Sequence, residues 1–256
     1  MTKPEAGFLA RDGGARIAYL KRDGRMPGVV WLGGFKSEMT AAKATALDAW
    51  AEREGRAFVR FDYFGHGASS GNFRDGTVTR WRDDVLAVLE QLTKGRQILV
   101  GSSMGGWVAL LAALMRPERV AALLLIAPAA DFTDALLWAS LNGEIRRQIE
   151  EVGEWLRPSA YDPDPYPITR ALIQDGRKHL LLGAPIVLAC PVRIVQGMQD
   201  SDVPWQHALR LVDRLGPDTQ IILVKDGDHR LSKPHEIRLI ELTLSVLVAD
   251  LERKES

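Results

Sequence analysis

A serine bracketed by glycines two residues away on either side, Gly101-Ser102-Ser103-Met104-Gly105, follows the apolar run 97–101 and precedes a stretch of helical period. A strand that turns into a helix within so few residues leaves no room for side chains at the two glycine positions. It holds the central residue in a strained conformation with its hydroxyl clear of the sheet. Ser103 is therefore the candidate nucleophile. A serine hydroxyl is weakly nucleophilic at neutral pH and needs an imidazole base, itself oriented by a carboxylate. Of the 5 histidines, His66 precedes the serine, His179 falls in a long insertion, and His207 and His235 lie at or near helix starts. His229, in the loop Lys225-Asp226-Gly227-Asp228-His229 after the run 220–224, is the candidate base. The loop after the run 192–196 offers Asp200 and Asp202. Asp200 is the candidate acid, because it rises three residues beyond Gly197, whereas Asp202 suits a cap for a helix starting near Pro204. Asp131, at the end of the run 121–127, is the alternative carboxylate. Attack on a carbonyl builds an oxyanion that needs two donors already in place. The backbone N–H of Met104 is one candidate and that of Phe35, in the loop Leu32-Gly33-Gly34-Phe35, is the other.

These residues can meet only if the chain brings the ends of several strands together. The first 25 residues read as a hairpin about Asp12, Gly13 and Gly14. From Gly28 onward, short apolar runs at 28–32, 57–62, 97–101, 121–127, 192–196 and 220–224 alternate with helical stretches, the pattern of βαβ units and a parallel sheet. The runs are apolar on both faces, as buried parallel strands should be. Trp81, Val85, Val88, Leu89 and Leu92 share one helical face, and Ile237, Ile240, Leu244, Leu247 and Leu251 share another. Ligands in such sheets bind beyond the carboxyl ends of the strands, where every candidate above lies. The alternation is interrupted between Pro128 and Pro191. Inside this insertion Leu137, Leu141, Ile145 and Ile149 recur every four residues, followed by the breaker-rich 157–167 and a second helical stretch. The expected organisation is one domain over 1–256 with a helical lid at about 129–190.

Composition narrows the function classes. With 46% apolar and 26% charged residues, the chain resembles an ordinary globular protein. Its 33 basic residues balance 33 acidic ones, so the basic footprint of a nucleic-acid binder is absent. No apolar run approaches the roughly 20 residues that span a bilayer. The segment MTKPEAGFLARDGG has the character of neither a signal nor a transit peptide, which leads to the expectation of a cytoplasmic protein. The single cysteine, Cys190, forms no internal disulfide and reads as an inert buried thiol. No Cys/His cluster has zinc-ligand spacing, so neither metal nor cofactor is expected.

Together these residues resemble the α/β-hydrolase superfamily. Besides the serine turn and the Ser103, Asp200, His229 order, Phe61-Asp62-Tyr63-Phe64-Gly65-His66-Gly67-Ala68-Ser69 is similar to that superfamily's D-x-x-G-x-G-x-S loop, whose usual role is structural. More narrowly, 61–71 with 100–107 resembles the subfamily that includes the mitochondrial palmitoyl-protein thioesterase also described as an acyl-glucuronide esterase. Gly33 departs from the superfamily, where a histidine commonly precedes the oxyanion-loop glycine. The resemblance implies an α/β-hydrolase fold, a mostly parallel, doubly wound sheet of about eight strands, and a cofactor-free serine hydrolase of carboxylic esters or thioesters. Its substrate would be a small molecule or an acylated protein. Dehalogenases and epoxide hydrolases of this fold use a carboxylate where this chain has Ser103. Carbon–carbon hydrolases, peptidases and acyltransferases keep the serine and stay open, as does a ligand-binding protein without turnover. The insertion's Leu137, Trp138, Leu141, Ile145, Trp155, Tyr161 and Tyr166 either glue it to the body or line an acyl pocket.

Overall fold

The computed structural model describes residues 4–158 and 164–255. The hairpin forms β1 (Glu5–Ala10) and β2 (Arg16–Arg22), paired antiparallel across a turn in which Gly13 has a φ of 68°. Strands and helices then alternate through β3 (Arg25–Leu32), α1 (Ala42–Arg53), β4 (Arg56–Phe61), α2 (Val78–Leu92), β5 (Gln97–Ser102), α3 (Met104–Met115) and β6 (Val120–Ile126). The insertion carries α4 (Gly143–Val152), β7 (Glu154–Arg157), β8 (Tyr166–Thr169) and α5 (Arg170–Gly176). Beyond it come β9 (Val192–Gly197), α6 (Trp205–Val212), β10 (Thr219–Val224) and α7 (Pro234–Glu255).

Eight strands make one sheet in the order β1-β2-β4-β3-β5-β6-β9-β10. Pairing is antiparallel at β1/β2 and β2/β4 and parallel at every later junction, which is the mostly parallel α/β-hydrolase sheet that the sequence predicts. The chain leaves β3 for β4 on one side and returns to β5 on the other, so the direction of winding reverses at β3/β5. Loops leaving the carboxyl ends of those two strands diverge and open a crevice between them. Helices cover both faces. On one, Trp81, Val85, Val88 and Leu89 of α2 and much of α3 bury Val30, Leu99, Leu123 and Ile194. On the other, Leu47 and Trp50 of α1 and Ile240, Leu244, Leu247 and Leu251 of α7 bury Val29, Ile98, Leu124 and Val195. Alternate residues of each strand thus feed opposite cores.

Two expectations need correcting. The run 220–224 is not buried on both faces: β10 is an edge strand with one neighbour, and Ile222 and Leu223 are each 37% exposed. The insertion is not wholly helical either. The period-four series is broken because Asn142 accepts the Ile145 N–H (2.9 Å) through its side chain and starts a new helix, separate from the π-helical turn Phe132–Trp138. What reads as breaker-rich sequence contributes the hairpin β7/β8, in which Trp155 faces Ile168 and Leu156 faces Pro167. Leu137, Leu141 and Ile149 nevertheless converge with Ile168 and Ile173 in a small core of the insertion. Tyr161 lies outside the described residues.

Leu124 is wholly buried mid-sheet. Leu124→Ala should lower unfolding free energy by about 3 kcal/mol through lost transfer energy and the cavity left behind, read as a lower urea midpoint at unchanged slope.

Candidate active site

The strand-to-helix turn is as tight as its glycines imply. A Cβ at Gly101 would lie 2.4 Å from Gly105 O, and one at Gly105 would lie 2.2 Å from Leu32 O. Ser103 sits between β5 and α3 at φ 54° and ψ −118°, a conformation costly for any residue but glycine, and its N–H is held by Ile126 O (2.9 Å). Met104 is the first residue of α3, where amides have no partner one turn back.

The loops after β9 and β10 deliver the other two candidates to this serine. His229 Nε2 lies 3.1 Å from Ser103 Oγ, and His229 Nδ1 lies 2.8 Å from Asp200 Oδ2. A carboxylate can only accept, so Nδ1 carries the proton and Nε2 is left to accept from the serine hydroxyl. The Asp200 side chain has no exposure. Its Oδ1 accepts the Asp202 and Val203 N–H groups (2.9 and 2.8 Å) and its Oδ2 also accepts Gln196 Nε2 (3.1 Å). Its lone pairs are therefore committed, although Asp200, Asp202 and His229 are the one group among the described residues with donor atoms close enough together for a metal ion.

The other two candidate carboxylates have different partners. Asp131 accepts the Leu181 and Leu182 N–H groups (2.8 and 2.9 Å), pinning the end of the insertion to the end of β6, and burial raises its pKa. Asp202 does not cap the following helix: α6 starts behind Pro204 without a side-chain cap, and Asp202 lies 3.6 Å from Arg157 Nη2 of β7. Cys190 is half-buried with its thiol pushed up to about 11 by desolvation, which makes it a poor nucleophile. His207 hydrogen-bonds to Ala130 O (2.7 Å) instead of to Ser103.

Phe35 and Met104 line the same cavity as Ser103 and His229, about 290 Å³ in volume. Gly34 lies against Ser103, with a Cβ there placed 3.4 Å from Ser103 Cβ. The cavity extends beneath the insertion, walled by Phe132, Leu136, Leu137, Tyr166 and Ile168, with Lys36, Arg157 and Asp202 at polar positions. Of the aromatic and apolar set named from sequence, Leu137 and Tyr166 line it. Trp138, Leu141, Ile145 and Trp155 pack in the insertion's own core instead. Phe132, Leu136 and Arg157 were not legible, since no spacing distinguishes a cavity wall from a core. A second cavity of about 260 Å³ adjoins Ser103 and His229 on the side of α1, lined by Trp31, Ser37, Lys43 and Ser232. Lys43 Nζ donates to Arg230 O there and ties the His229 loop to α1, with burial lowering its pKa to about 8.

Comparison with known proteins sets this geometry among relatives. Residues 26–238 match the model of the Alpha/beta hydrolase family. The mouse mitochondrial palmitoyl-protein thioesterase ABHD10 is 42% identical over 97% of this chain and 84% of its own length. A solved structure of mouse alpha/beta hydrolase domain-containing protein 10 superposes with a TM-score of 0.90 at 42% identity, covering 96% of this chain and 99% of the other. A crystal structure from Agrobacterium vitis S4 gives 0.91 at 42% identity over 96% of this chain and 98% of that one. The expectation of a cytoplasmic protein is overturned by these matches, because the relatives from mouse, rat and human are all named as mitochondrial proteins.

Two substitutions separate the serine turn from its surroundings. Gly105→Ala should give a poorly folding, inactive protein, since its Cβ meets backbone that cannot move aside, and expression yield with circular dichroism will show it. Asp131→Asn should cost about 1–3 kcal/mol of stability by unpairing one amide, while kcat stays within about threefold. Loss of kcat without loss of stability would return Asp131 to the list of catalytic acids.

Proposed function

The chain belongs to the alpha/beta hydrolase family, and from that premise we propose that it is a serine hydrolase cleaving carboxylic esters or thioesters through an acyl-enzyme. The observation that carries this reading is the unbroken chain Asp200 Oδ2, His229 Nδ1, His229 Nε2, Ser103 Oγ at 2.8 and 3.1 Å. In this mechanism His229 Nε2 takes the hydroxyl proton as Oγ attacks the acyl carbon, and buried Asp200 stabilises the imidazolium. The Phe35 and Met104 N–H groups donate to the oxyanion. Collapse expels an alcohol or thiol protonated by His229, and a water deprotonated by the same nitrogen then releases the acid and restores Ser103.

We further read 1–256 as one domain whose insertion at about 129–190 is a lid over the acyl site, although the lid is part helix and part hairpin. The relatives' thioesterase names support a thioester among the substrates, whether a small molecule or an acylated protein. A cavity of about 290 Å³, with apolar walls from Phe132, Leu136, Leu137 and Ile168, is at the lower end for small-molecule sites, which favours acyl groups of medium length for full enclosure.

Ser103→Ala and His229→Ala should each lower kcat by about 10³-fold or more, the double variant should lose little beyond either single one, and Asp200→Asn should lose less. A fluorophosphonate should label Ser103 once per chain; labelling at Ser102 or Cys190 would overturn the assignment. Across a panel of acyl esters and thioesters, kcat/KM should climb with chain length, each methylene contributing up to roughly 0.8 kcal/mol, and then plateau. Leu136→Trp should fill the cavity and shift preference to acetyl, whereas a profile flat in the unaltered protein would reduce the insertion to a structural cover.

A further inference from the structure

The loop Asp62–Ser69 passes behind the loop that carries Phe35, and the two are joined by hydrogen bonds. Asp62 Oδ1 accepts the Met39 N–H (2.6 Å) while its Oδ2 accepts the Ala68 N–H (2.8 Å). His66 makes the more specific connection: its Nε2 accepts the Lys36 N–H at 3.1 Å. The direction of that bond is fixed by the other nitrogen. His66 Nδ1 lies 3.2 Å from Phe64 O, a carbonyl that can only accept, so Nδ1 carries the proton and Nε2 offers its lone pair. Burial lowers the His66 pKa to about 4, which keeps the ring neutral and its acceptor free.

The Lys36 amide belongs to a turn that would not hold itself. Ser37 N–H donates to Gly34 O (3.1 Å), making Phe35 and Lys36 the central residues, and Lys36 has a φ of 56°. Turns with positive φ at the third position ordinarily place glycine or asparagine there, and a lysine in that region is strained by about 1–3 kcal/mol. Rotating the Phe35–Lys36 peptide would relieve the strain, but it would take the Lys36 N–H away from His66. An imidazole acceptor on the buried side therefore selects the strained form. The same rings clamp both partners: Phe73 lies 4.8 Å from the Phe35 ring and 5.1 Å from the His66 ring, and Trp81 lies 5.8 and 5.5 Å from them.

We propose that His66 is a positioning residue for the oxyanion site, its Nε2 fixing the Lys36 amide and so the form of the Gly34–Ser37 turn on which the Phe35 N–H is carried beside Ser103. This rests on the reading of Phe35 as an oxyanion donor. It gives His66 a task in turnover without contact to substrate: the side chain holds a donor where the charge will develop, and binding of the uncharged ester does not require it.

Three variants and a charged adduct test the assignment. In His66→Leu the acceptor is gone, in His66→Gln an oxygen can take the place of Nε2, and in His66→Asn the oxygen is too short to reach. Phe64 O keeps a donor in all three, because Trp81 Nε1 also reaches it (3.2 Å). A displaced oxyanion donor should lower kcat in His66→Leu and His66→Asn by about 30-fold or more with KM within about threefold, and His66→Gln should recover most of it. Affinity for a trifluoromethyl ketone analogue of the best ester, which binds as an oxyanion adduct of Ser103, should fall by the same factor as kcat/KM. Where His66→Leu does not fold, the Gln and Asn pair decides. Equal rates in His66→Gln and His66→Asn, or unchanged ketone affinity in variants with reduced kcat, would overturn the proposal. Survival of full activity in Ser103→Ala would instead overturn the serine-hydrolase reading, leaving the two failures distinct.

Discussion

The chain between Gly101 and Gly106 passes so close to the end of β3 that Gly105 meets Leu32 O backbone against backbone, with no space for a methyl group. That approach fixes two things at once. It sets Ser103 at its strained φ of 54° above the end of β5, and it sets the β3 loop, with Gly34 and Phe35, beside the serine. Nucleophile and proposed oxyanion donors are thus held by one contact between neighbouring parallel strands, at the place where the winding of the sheet reverses. The strain at Ser103 is offset by the bonds around it: Ile126 O takes its N–H, and its own carbonyl accepts from Gly106 and Ala129.

Asp200 and His229, the proposed acid and base, come from farther along the same sheet edge and need a different kind of support. A fully buried carboxylate is costly unless its lone pairs are used, and Asp200 receives N–H groups from Asp202, Val203, Gln196 and His229. Two of these donors, the Asp202 and Val203 N–H groups, lie within the loop itself, so the loop and the carboxylate order one another. The imidazole then has one orientation available, pointing at Ser103. The buried face of the oxyanion loop is organised by the same logic, with Asp62 and His66 consuming amides of 36, 39 and 68 that would otherwise be unpaired.

The sheet was legible because strand and helix leave different periods, and the residues at strand ends follow once the sheet is known. Ser103, Asp200 and His229 could be read that way because each stands in the first turn of loop after an apolar run. What could not be read involves contacts between segments distant in sequence. The period of Leu137, Leu141 and Ile149 is real, but one asparagine at 142 was enough to divide it between two helical segments. The hairpin β7/β8 has only four residues a side and closes across proline-rich sequence, so its cross-strand pairs gave no local signal. Asp202 looks like a helix cap by position, and only the approach of Arg157 from the insertion shows its actual partner. His66 reads as filler in a glycine loop until the Lys36 amide comes within reach from another strand.

His229 is carried by the loop following β10, an edge strand with one neighbour and half-exposed residues, while Ser103 is carried by β5 at the sheet's centre. Edge strands open at a smaller free energy than central ones, so their amides exchange with solvent sooner. A local opening at this margin would part His229 from Ser103 without opening the centre of the sheet. The pairing of these two side chains is therefore set by the edge of the fold rather than by its middle, to the extent that the Lys43 bond to Arg230 O does not hold the loop in place.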